Sequence, residues 1–144
     1  MSTKQPPATP AVPSGPAPVR LTAAAALTAL EGLALAGLGI SMLVMGLLGD
    51  PDSPQQAETG GVTMLVLAAL PLVAARGLWM RRRWSRGPAM ITQLMALPVA
   101  WTLYSAGGAL IAGAVALAVS ALTVLTLLLH PATTEALAIG TPQP

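Results

Sequence analysis

Polar residues along this chain are confined to short stretches that separate long apolar runs. Leu21–Leu48 is interrupted only by Glu31 and small hydroxyls, and further runs cover Gly61–Met80, Pro88–Ala106 and Gly107–Leu129 before His130-Pro131 stops the last. Each is near the roughly 20 residues that a helix needs to cross a hydrocarbon layer about 30 Å thick. The pattern predicts an all-α membrane protein, a four-transmembrane-helix bundle with helices over about 21–48, 61–80, 88–106 and 107–129, within a membrane domain at 20–130. The first run continues past Ala34-Leu35-Ala36, which mimics a cleavage site, and is too long for the apolar core of a signal peptide.

The flanks and connections complete the pattern. Residues 1–19 are proline-rich with almost no large apolar side chains, so they cannot bury enough surface to offset ordering and are predicted to be a disordered tail. Residues 131–144 are small and polar and predict a second flexible tail. The segment Gly49–Gly60 carries Asp50, Asp52 and Glu58 and no base, Arg81–Gly87 is a tight basic loop, and Ser105–Gly108 is a short turn. Lys and Arg near span ends mark the cytoplasmic side. Lys4 and Arg20 precede the first span, and Arg81, Arg82, Arg83 and Arg86 lie between the second and third. Both termini are therefore expected in the cytoplasm, and the acidic loop outside a bacterial plasma membrane.

Composition agrees and excludes alternatives. Only 8% of residues are charged, 54% are hydrophobic, and mean hydropathy is +0.71. A soluble domain carries about 25% charged residues, so a soluble helical core is excluded. A formal charge of +2 is too small to suggest nucleic-acid binding despite a pI near 10.0. There is no Cys, which removes disulfides and thiolate metal sites.

Three polar residues fall inside the spans: Glu31, Arg76 and Gln93. Unpaired polar groups in hydrocarbon cost several kcal/mol, so partners are expected. Folding the second and third spans about residue 84 or 85 maps Arg76 onto Gln93 and Pro71 onto Pro98. Glu31 lies about 15 Å in when counted from Leu21, but level with Arg76 when counted from the outer surface. The outer count is adopted, because the Ala-rich start of the first span can lie in the interface. It predicts a Glu31–Arg76 ion pair with Gln93 nearby, and the competing arrangement has Arg76 reaching the headgroups and Glu31 protonated or facing water.

Small residues that let membrane helices approach recur as Gly32, Gly39 and Gly46, with Ala36, on the first span. A comparable stripe on the fourth is Ala109, Gly113, Ala116, Ser120 and Thr123. These faces are expected to pack within the bundle, with a homo-oligomer or a membrane-protein partner as the other occupant. Trp101 and Tyr104 are placed at the outer boundary, Trp79 and Trp84 at the inner one. Arg81, Arg82, Arg83 and Arg86 are expected to hold the loop to anionic headgroups at about 1 kcal/mol each.

Catalytic chemistry is nearly absent, so the expectation is no enzyme, no cofactor, and no catalytic, cofactor-binding or metal residues. The one His adjoins Pro131, and Asp50-Pro51-Asp52 falls far short of a divalent-ion site. Four helices with an acid in the first resemble the small multidrug resistance transporters, in which that acid exchanges protons for a cationic drug. That resemblance implies a coupling role for Glu31, but only Trp101 and Tyr104 could cage a cation, and Arg76 would neutralise the acid. The stretch Ala75–Trp101 carries a further likeness in Arg76-Gly77-Leu78-Trp79, Trp84-Ser85-Arg86-Gly87-Pro88, and Thr92-Gln93-Leu94 with Pro98. It resembles the middle hairpin of uncharacterised small actinobacterial four-helix integral membrane proteins, which implies this fold and no assigned activity. The expectation is a structural or accessory membrane component, with a small proton-coupled transporter acting through Glu31 as the alternative.

Overall fold

The computed structural model describes residues 18–137, and the expectations for 1–17 and 138–144 lie outside them. Its helices are α1 (Val19–Leu48), α2 (Pro54–Trp79), α3 (Arg86–Ala106), α4 (Leu110–Leu129) and the short α5 (Pro131–Ala136), with a 3-10 turn at Arg83–Ser85. No strand occurs among the described residues. Four helices are long and apolar enough to cross a membrane, which makes the chain a multi-pass membrane protein by length and composition. Their lipid-ready character is plain on the surface, where Leu33, Leu38, Val66, Val73, Ile91 and Val119 all face outward.

The helix ends depart from the apolar runs in ways local chemistry explains. α2 starts at Pro54, about two turns before Gly61, so the expected acidic loop is largely helix. Proline suits a first helical position, and Gln55, Gln56, Ala57 and Glu58 are tolerated or good helix formers. Apolarity marks where a helix can enter lipid, whereas propensity and capping mark where it begins. α4 starts at Leu110, not Gly107, because Gly107 (φ 75°) and Gly108 (φ 61°) occupy the left-handed region and make the turn.

α2 ends in a Schellman arrangement: Arg82 N–H donates to Gly77 C=O at 2.8 Å and Arg81 N–H to Leu78 C=O at 3.0 Å. The left-handed position that this motif reserves for glycine is taken by Arg81, at φ 53°. A side chain there costs roughly 1–2 kcal/mol. The following 3-10 turn folds back on α2, and a Cβ on Gly77 would stand 2.5 Å from Ser85 Cβ. Gly77, Leu78 and Ser85 are buried and close this corner, whereas Trp79, Trp84 and Gly87 of the same R-G-L-W and W-S-R-G-P pattern are exposed.

α1 packs most extensively on α2 and α3 on α4, with smaller α1–α4 and α2–α3 contacts, so the bundle is two hairpins laid together. The α1–α2 seam is built on Gly32 against Leu72, Gly39 against Gly61 and Leu65, and Gly46 against Ala57 and Glu58. The first glycine stripe thus packs within the bundle, as expected. The second does not. On α4 the buried residues are Ala114, Ala121, Val124 and Leu128. Ala109, Gly113, Ala116 and Thr123 face outward, and Ser120 is half-buried.

The densest core lies at the basic end, where Leu21, Ala24 and Ala25 of α1 meet Ala74, Leu78, Ala89, Val124, Leu128 and Leu137. The start of α1 is therefore packed inside the bundle through Leu21, Ala24 and Ala25. α5 continues the chain against this core: Thr133 Oγ1 donates to Leu127 C=O at 2.6 Å, and Leu137 is buried. Of the tail expected to be flexible over 131–144, Pro131–Ala136 are thus helical with Thr133 buried, and 138–144 lie outside the described residues. Arg20 Nη1 stands 2.8 Å from Nδ1 and 2.6 Å from Nε2 of His130, tying the start of α1 to the end of α4. Whichever ring nitrogen is unprotonated accepts the bond.

Candidate functional site

The polar groups inside the bundle meet at Glu31. Gln93 Nε2 on α3 donates to Glu31 Oε2 at 2.7 Å, and Ser120 Oγ on α4 donates to Oε1 at 2.6 Å. Both carboxyl oxygens are engaged, and three helices are joined at one point. Ser120 is the midpoint of α4, about 15 Å from either end at 1.5 Å per residue. The cluster therefore sits near the middle of the bundle's span.

Expected and observed arrangements differ in the cation. Gln93 is brought to Glu31, but Arg76 is not. Arg76 is exposed, and no ion pair joins it to Glu31 among the described residues. Register and face account for this. Gly32 packs on Leu72, which puts Glu31 level with Val73, about 5 Å farther from the basic end than Arg76. The buried stripe on this part of α2 is Pro71, Ala74, Ala75 and Leu78, with i, i+3, i+4, i+7 spacing. Arg76 stands one residue past Ala75, about 100° round the helix.

Ser120 is the member the sequence reading missed, since it was taken as one small residue in a packing stripe. A signal was present in its position at the centre of an otherwise apolar helix. Most hydroxyls on these helices bond back to their own backbone: Thr92 to Pro88, Thr102 to Pro98, Thr123 to Val119 and Thr126 to Thr123. Such local bonding is how Ser and Thr enter apolar helices at low cost. Ser120 instead reaches across to another helix. Two further polar atoms, Thr28 Oγ1 and Gln93 Oε1, are buried without a protein partner, Thr28 lying one turn from Glu31 on α1.

The arginine loop forms the second polar region. Arg82, Arg83, Trp79 and Trp84 are exposed, and Arg81 and Arg86 are half-buried. A recess of about 180 Å³ opens between the first turn of α1 and the last of α2, lined by Leu21, Thr22, Leu78, Trp79 and Arg81. Another, of about 480 Å³, lies beside the start of α2 between Ser53 and Met64. Neither is lined by Glu31. At the acidic end Trp101 and Tyr104 are exposed, with ring centroids 6.1 Å apart. No protein-family model, curated protein or solved structure matches the chain.

Proposed function

We propose that the protein is a structural or accessory component of the bacterial plasma membrane, with both termini cytoplasmic, in which Glu31 fastens three helices together. The observation that carries this reading is the engagement of both Glu31 oxygens by Gln93 and Ser120. Absence of catalytic and cofactor chemistry is part of the same proposal, as is kinship with the small actinobacterial four-helix proteins that the Ala75–Trp101 hairpin resembles. The test is the oligomeric state in mild detergent, with crosslinking in cells to identify neighbours. A discrete complex with another membrane protein supports an accessory role. An obligate homodimer that moves a solute overturns it.

One observation favours a second reading. Among the described residues Glu31 has neutral partners and no counter-cation, which removes the objection that Arg76 would neutralise it. A small proton-coupled transporter would use Glu31 to exchange a proton for a lipophilic cation. Addition of tetraphenylphosphonium to the detergent-solubilised protein would then release protons from the wild type and none from Glu31→Gln. No release from the wild type eliminates this reading.

A further inference from the structure

We propose that Glu31, Gln93, Ser120 and Thr28 form a binding site for one monovalent alkali cation at the centre of the bundle. This deepens the reading of Glu31 as the fastener of three helices and rests on it, because the cation joins the same cluster.

The first observation is charge. Glu31 lies near the middle of the bundle's span with the neutral donors Gln93 and Ser120 on its two oxygens, and no cationic side chain meets it among the described residues. Buried charges in proteins are paired or coordinate metal ions, and an ionisable group inside a membrane span is an ion-site candidate by default. The second is a pair of oxygens. Thr28 and Gln93 are fully buried, yet Thr28 Oγ1 and Gln93 Oε1 bond to no described group. An unmet polar atom is costly in a low-dielectric interior. Gln93 Oε1 belongs to the same amide whose nitrogen lies 2.7 Å from Glu31 Oε2. The third is register. The core residues Ala24, Ala74, Ala89 and Val124 are followed, one turn farther from the basic end, by Thr28, Pro71, Gln93 and Ala121, all buried. Thr28 and Gln93 thus enter one layer from α1 and α3, with Glu31 three residues beyond Thr28 and Ser120 beside Ala121.

The donor set selects the ligand. A carboxylate, an amide carbonyl and two hydroxyls offer only oxygen, which suits hard cations. One carboxylate balances one positive charge, whereas a divalent ion would leave a net charge inside the bundle at a large desolvation cost. The Ser120 hydroxyl gives its hydrogen to Glu31, which leaves its lone pairs for the ion. Thr28 makes none of the bonds to its own backbone that Thr92, Thr102 and Thr123 make.

The test uses the full chain in mild detergent. Thermal unfolding is followed in sodium chloride and in choline chloride at equal ionic strength, and sodium binding by NMR line broadening of the ion. Wild type melts higher in sodium, the rise saturates, and the ion signal broadens. Glu31→Gln abolishes both effects. Thr28→Val raises the half-saturating sodium concentration about tenfold, and melts no lower than wild type in choline, since its hydroxyl has no protein partner to lose. Thr92→Val, whose hydroxyl bonds its own backbone, keeps the wild-type response. The proposal is overturned if choline stabilises as well as sodium, the result expected of a bridging water, or if Thr28→Val keeps the full sodium response. Failure of the fastening reading is separate: it falls only if Glu31→Leu melts as wild type in choline, where no ion contributes.

Discussion

Glu31 and Arg76 are opposite cases of one problem, a charge-bearing side chain in an apolar helix. Glu31 is met inside by two neutral donors, and Arg76 is turned outward. Their substitutions should therefore separate. Glu31→Leu strands the Gln93 amide and the Ser120 hydroxyl. Interhelical hydrogen bonds in membranes average about 0.6 kcal/mol and reach about 1.7, so losing two should destabilise the bundle by about 1–3 kcal/mol. Glu31→Gln retains an acceptor and should recover at least half of that. Arg76→Leu in uncharged detergent should change stability by less than about 0.5 kcal/mol, as for a surface position. Unfolding by SDS titration from mild-detergent micelles measures all three, and a loss for Arg76→Leu matching that for Glu31→Leu would restore the ion pair. Reading the sequence located both residues and could not pair them correctly, because depth is a one-dimensional count while pairing also needs rotation about each helix.

At the scale of the helices, the α1–α2 seam was legible because glycines seven residues apart repeat on one face. The partners of Gly46, Ala57 and Glu58, were not, since α2 begins in the polar stretch Pro54–Gly60 that hydropathy discards. On α4 the repeat misled: small residues alone do not say which face is covered. The structure makes the distinction measurable. A Cβ on Gly61 would lie 2.8 Å from Gly39 O and 3.0 Å from Leu43 N, both backbone atoms that cannot swing aside. Gly61→Ala should push the helices apart and cost about 1–3 kcal/mol, the usual range for overpacking. Gly113 has nothing within 4 Å, so Gly113→Ala should not destabilise the monomer, and helix propensity favours the alanine by up to about 1 kcal/mol. If Gly113→Ala also lowers a dimer population measured by single-molecule photobleaching, the outward face of α4 is where copies meet.

For the molecule as a whole, the two hairpins put Val19, the arginine loop and Leu137 at one end and the acidic Gly49–Ser53 turn at the other. That arrangement follows from four antiparallel crossings. It leaves which end faces the cytoplasm to charge. Arg81, Arg82, Arg83 and Arg86 lie within a few residues of two helix ends, whereas Asp50 and Asp52 stand at the opposite end without a nearby base. Lys and Arg near span ends resist translocation, and acids contribute little, so the basic end should stay inside. Because the chain has no Cys, orientation can be read from single introduced thiols. Asp52→Cys should react with a membrane-impermeant maleimide on intact spheroplasts, and Arg83→Cys only after permeabilisation. The reverse labelling would invert the topology. Replacing Arg81, Arg82, Arg83 and Arg86 together by Gln should yield a mixed population labelled from both sides, since Lys4 and Arg20 would then carry the bias alone.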